Sequence, residues 1–139
     1  LMTWLVFFFV VLPCCTEAVG VGWNWGTRGG SCTSACTSVQ QACVEGEFLK
    51  INNNVNFDKV KGVGVDCIGY GSDSDDWKPG RYDYPSGSSA YGQSYCYTQS
   101  GTSGTCAGTP PYSSNYRVCP CLCPANTFGP DLQTWPCPR

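Results

Sequence analysis

Histidine is absent from this chain of 139 residues. That removes the commonest general base, the usual activator of a serine or cysteine nucleophile, and a main metal ligand. Charge is scarce as well, at 13% of residues, with a formal net charge of −2 and no polybasic run. A basic nucleic-acid surface and a patch for anionic lipid are therefore not expected. No Asn-x-Ser/Thr sequon occurs, so N-glycosylation is not expected either. No internal repeat is visible.

What the chain has instead is cysteine. Twelve cysteines in so short a sequence are too many for a reducing cytosol. The length suits one domain. The composition reads as a secreted domain whose small core is stapled by disulfides. The N-terminus fits this reading. The apolar run "LMTWLVFFFVVLP" precedes "CCTEA" and has the length of a signal-peptide core, although no Lys or Arg comes before it. Thr16 and Ala18 are small residues placed for cleavage after Ala18, so residues 1–18 are expected to be a signal peptide. Cleavage there removes Cys14 and Cys15. It leaves the even set Cys32, Cys36, Cys43, Cys67, Cys96, Cys106, Cys119, Cys121, Cys123 and Cys137. Their pairing is not readable from sequence.

Residues 19–26, "VGVGWNWG", alternate strictly. Val19, Val21, Trp23 and Trp25 share one face of a strand, with three glycines and Asn24 on the other. Two roles are open: an ordinary edge strand, or a strand given to a neighbouring copy, with those four side chains as the assembly interface. Residues 27–123 are the expected cysteine-rich domain, and 124–139 a Pro-rich tail held by Cys123 and Cys137.

Residues 31–51 read as helix, with Ser31 as N-cap and Cys32, Cys36, Val39 and Cys43 on one face. A second short turn from Glu45 to Ile51 points Phe48 and Ile51 inward. "NNNVN" at 52–56 favours a turn. Val63, Val65 and Cys67 suggest a short strand, and residues 69–92 a long loop. Tyr95 to Tyr97 and Tyr116 to Cys121 read as strands. The expected fold is α+β: a small, loop-rich, disulfide-rich domain with one or two short helices on a few short antiparallel strands.

The cysteine run adds a resemblance. The Gly-Gly-Ser-Cys stretch ending at Cys32 opens it, followed by the spacing of Cys32, Cys36 and Cys43, then Glu45 and Phe48, and Asn52. Cys67 and Cys96 come next, then "CAG" at 106–108 and "RVCPC" at 117–121. In this order the motifs resemble the C-terminal cysteine-rich region of the N-acetylglucosaminyltransferase V family, over roughly residues 25–121. The resemblance implies a fold and a loose link with glycans. In that family the catalytic acid lies upstream of the cysteine-rich region, so no catalytic residue is carried over. The module is expected to be freestanding, without the catalytic domain.

Candidate chemistry is thin. Glu45 with Glu47, or Asp73 with Asp75 and Asp76, are carboxylate pairs of the kind glycosidases use, but solvated surface acids are the plainer reading. "CPCLC" at 119–123 reads as disulfides rather than a thiolate metal site. The acidic stretch at 71–77 fits no calcium loop and reads as a solvated turn. No catalytic residue, metal or cofactor is expected. Trp77, Tyr82, Tyr84, Tyr91, Tyr95 and Tyr97 crowd a Gly/Ser-rich segment, and of these rings Trp77, Tyr82, Tyr84 and Tyr91 are the candidate glycan contacts. Core and subunit-interface roles stay open for them. Residues 86–114 hold twelve Ser or Thr, a composition suited to O-glycosylation or to a plain loop.

Together these features point to a non-enzymatic, secreted structural subunit of an extracellular or cell-surface assembly, such as a filament. Its partners would be copies of itself and glycans, with no nucleic acid and no membrane after signal cleavage. The alternative is a carbohydrate-binding module using the Trp/Tyr-rich loop. A third reading is a small effector or inhibitor acting on a protein.

Overall fold

The alternation before Gly26 and the helical spacing after Ser31 both carry into three dimensions, in a computed structural model that describes residues 20–102 and 104–123. Among these residues the elements are β1 (Val21–Trp25), α1 (Cys32–Ser38), a 3-10 helix (Glu45–Lys50) and α2 (Asn54–Val60). Strands β2 (Cys67–Asp73), β3 (Gly80–Asp83), β4 (Ser94–Gln99) and β5 (Asn115–Leu122) follow. The strands form one sheet in the order β1-β5-β3-β4-β2. This is the small, disulfide-rich α+β domain expected. The sheet is mixed, however, and not wholly antiparallel. β2 runs parallel to β4, because the link from β2 to β3 steps over the place that β4 later fills. The other pairings are antiparallel.

The strongest tie is between α1 and β5. Residues four apart on a helix and two apart on a strand are both separated by roughly 6–7 Å along the axis. Cys32 and Cys36 therefore face Cys119 and Cys121 in step, and the disulfides are Cys32–Cys119 and Cys36–Cys121. Cys43–Cys106 and Cys67–Cys96 complete the pairs among the described residues. Cys123 is disulfide-bonded as well. Cys137, Val19, the apolar segment 1–18 and the tail 124–139 lie outside the described residues.

Proline inside a strand normally breaks a ladder bond. Pro120 avoids this because β5 changes neighbour there. The Val118 amide donates to the Pro79 carbonyl, while the Leu122 amide donates to Ala42 and the Val44 amide to Pro120. The N–H that proline lacks falls between these two partners.

Each face of the sheet has its own cluster. On one, Cys119 and Cys121 meet Cys32, Ala35, Cys36, Phe48 and Cys106. On the other, Val118, Trp23 and Cys96 meet Ile51, Phe57 and Val60. A bulge at Ile68 resets the alternation of β2, which puts Cys67 on the same face as Cys96. The charged Arg117 is wholly buried on the disulfide face. Its guanidinium donates to the carbonyls of Thr105, Gly108 and Asp76 and lies 5.0 Å from the Phe48 ring centroid. Burial lowers its pKa to about 10, still a cation at neutral pH.

Several sequence expectations are corrected. Residues 31–51 are not one helical unit. Ser31 does cap α1, accepting from the Ser34 amide at 3.2 Å, but the helix stops at Ser38 and Gln40 takes a left-handed φ of 58°. Cys43 then runs extended beside Cys121, which lets it reach Cys106. The asparagine run opens a helix instead of a turn. The Asn53 side chain accepts from the Asn56 amide, and Phe57 and Val60 supply the buried face of α2. Val63 is fully exposed, and β2 begins only at Cys67. Residues 69–92 contain most of β2 and all of β3. β1 pairs with β5 of its own chain, and Trp23 is 1% exposed within its own core. The expected interface side chain is thus an internal one, since Ile51, Phe57 and Val60 bury it from the same chain. Among the described residues no helix is long and apolar enough to cross a membrane.

Two outcomes are expected. Replacing both Cys32 and Cys119 with alanine should lower unfolding stability by about 2–5 kcal/mol, read by urea titration. Separately, the Tyr70 hydroxyl donates to the Asp58 carboxylate. Burial, reinforced by the bond to Asp58 and its charge, pushes the phenol from 10.0 up to about 12. The stabilisation from this raised pKa is full below pH 10.0 and is lost as pH rises through about 12. A phenolate absorbance titration should show one fewer late-titrating tyrosine in Tyr70→Phe than in the native chain.

Candidate functional site

Tyr82 of β3 and Tyr95 and Tyr97 of β4 put aromatic rings on the disulfide face. Tyr82 pairs in register with Tyr95, and Tyr97 follows two residues on. The neighbouring strand β2 answers with glycines at 69 and 71. A Cβ at Gly69 would lie 2.5 Å from the Tyr95 ring, and one at Gly71 about 3.1 Å from Tyr97. The rings therefore lie down over bare backbone. Tyr95 crosses β2 in this way, and its hydroxyl donates to the Tyr70 carbonyl at 3.1 Å. The rings touch in series. Tyr82 meets Tyr84 at 5.2 Å, Tyr95 meets Tyr97 at 5.3 Å, and Tyr97 meets Trp77 edge-on at 5.6 Å. Such tilted contacts suit the ring quadrupole.

Beside this platform lies a cleft of about 510 Å³. Trp77, Lys78, Tyr82, Tyr97 and Asn115 line its inner part, and the exposed loop residues Pro111 and Tyr112 form part of its rim. Asp73, Asp75 and Ser114 complete the lining. The Lys78 side chain is 3% exposed and its ammonium pairs with the carboxylates of Asp73 and Asp75. The same nitrogen lies 5.0 Å from the Trp77 centroid and 4.6 Å from that of Tyr97. Burial lowers the Lys78 pKa. The two carboxylates and the two rings offset that cost. Asp75 also accepts from the Trp77 indole N–H at 3.2 Å. Burial, reinforced by the neighbouring tyrosines, raises the pKa of Tyr97. Asn115 is 3% exposed, and its Oδ1 has no hydrogen-bond partner among the described residues.

The sequence candidates separate here. Trp77 and Tyr82 line the cleft, Trp77 mostly buried within it. Tyr84 stands behind Tyr82 as a ring support, and Tyr91 is 68% exposed and outside the lining. Tyr97 belongs to the aromatic cluster that the sequence marks but not to the four candidate contacts, and Tyr112, Lys78 and Asn115 join the site without a sequence signal. The signal available for Tyr97 was its alternation with Tyr95 opposite the Gly-x-Gly of β2. The acidic residues at 73 and 75 are not a plain solvated turn, because a buried lysine holds them together. Glu45 accepts from the Cys106 amide at 3.0 Å, and Glu47 pairs with Lys50 at 2.6 Å, so both serve the fold. The "CPCLC" cysteines are all disulfide-bonded.

Replacing Gly71 with valine should force the rings of Tyr95 and Tyr97 upward. A destabilisation of about 1–3 kcal/mol is expected, with altered near-ultraviolet circular dichroism from displaced tyrosines. An unchanged spectrum would show that the glycine is not what seats the rings.

No protein-family model matches this chain, and no curated protein matches it.

Proposed function

We propose that this chain is a secreted, non-catalytic carbohydrate-binding module whose ligand site is the aromatic cleft. One observation carries the reading: four rings, Trp77, Tyr82, Tyr97 and Tyr112, converge on an open cleft with a few fixed polar groups. A sugar presents apolar C–H faces and a rim of hydroxyls, and a site of this composition offers a counterpart to each. The disulfides support a secreted protein, since such bonds persist in oxidising compartments. The lack of histidine and the engagement of the cleft carboxylates by Lys78 support binding rather than catalysis. Kinship with the cysteine-rich region of the N-acetylglucosaminyltransferase V family belongs to the same proposal and rests on the order of the cysteines.

A second reading is a subunit of an extracellular assembly of this chain. It draws on β1 and β2 standing at the ends of the sheet and on exposed Val55, Val63 and Ile68. Sedimentation of the native material separates the two, since an assembly predicts a large particle and a module predicts a monomer.

The test of the leading reading is a glycan array probed with the folded chain. Tyr82→Ala and Tyr112→Ala should each weaken binding about tenfold, equivalent to about 1.4 kcal/mol. Tyr91→Ala should leave it unchanged. Absence of binding to every glycan, or full retention in both cleft variants, would sink the reading.

A further inference from the structure

We infer that the cleft takes uncharged, hydroxyl-rich sugars and rejects acidic ones such as uronic acids and sulfated glycans. This rests on the carbohydrate-binding reading and adds the class of ligand. The polar lining is rich in acceptors and poor in available positive charge. Among the described residues that line it, the one cation is Lys78, which is 3% exposed and already engaged by two carboxylates and two rings. The side chains of Asp73 and Asp75 are 47% and 59% exposed, so their remaining oxygen lone pairs face solvent. The three ionised groups leave the cleft with one net negative charge.

The hydrogen-bonding complement points the same way. Carboxylates are acceptors only, and the exposed oxygens of Asp73 and Asp75 call for donors. A sugar hydroxyl supplies them. A carboxylate or sulfate brings more acceptors and a like charge, and finds no cation able to turn towards it. The rings then hold the apolar face of the sugar.

The experiment compares neutral hexose oligosaccharides with counterparts carrying a carboxylate or sulfate at C6, titrated against the full chain. The neutral member of each pair should bind at least tenfold more tightly at low salt. The gap should narrow as ionic strength rises, because screening weakens the repulsion. Asp75→Asn should narrow it further. If that variant fails to fold, the salt series on the native chain carries the same test. Equal or tighter binding of the acidic sugars would overturn the inference while leaving carbohydrate binding intact. Binding of neither class would overturn the carbohydrate reading itself, and this inference with it.

Discussion

The whole structure depends on the double cross-link between α1 and β5. Two sulfur bonds in step fix not only the distance between a helix and a strand but also their relative direction and rotation. Once Cys32–Cys119 and Cys36–Cys121 are made, β5 is immobilised along the disulfide face. Its alternation then decides the rest. Arg117 stands on the same face as the two cystines and gathers three carbonyls from loops that lack regular structure. Val118 points the opposite way into the second cluster, where Trp23, Phe57 and Val60 close around it. Two short helices of seven residues each are too short to be stable alone, so their order comes from these attachments.

Two buried cations show how a small core with few apolar residues organises its loops. Arg117 faces neutral carbonyls and one phenyl ring, while Lys78 faces carboxylates and two aromatic rings. In both cases a long side chain reaches segments that no strand or helix connects. Arg117 binds the Asp76 carbonyl, and Lys78 binds the carboxylates of Asp73 and Asp75, so the loop between β2 and β3 is held from two sides. That loop is one wall of the cleft. The site is therefore positioned by the same charges that complete the core.

How much of this was legible in the sequence depended on whether the signal was local. The Ser31 cap, the inward Phe48 and Ile51, and the strands around Tyr95 and Tyr116 announce themselves within a few residues. The disulfide-rich α+β character follows from composition. Helix α2 hides because Asn53 to Asn56 has the composition of a turn. The decisive facts are a cap at Asn53 and two buried residues, Phe57 and Val60, three positions apart. Strands β2 and β3 hide for a different reason. Glycine, tyrosine and aspartate suggest loop, yet Gly69 and Gly71 are there because rings from β4 need the space. The cleft joins residues 73–82, Tyr97 and 111–115, and no single window of sequence contains it.

The bridges also govern what cleavage can do. Cys32–Cys119 spans 87 positions, and Cys36–Cys121 spans 85. One cut anywhere between Cys36 and Cys119, including the exposed turn at 85–89, leaves both halves covalently joined. A protease acting on this molecule would open a loop without releasing a fragment. The nick would stay invisible to any separation by size until the cystines were reduced.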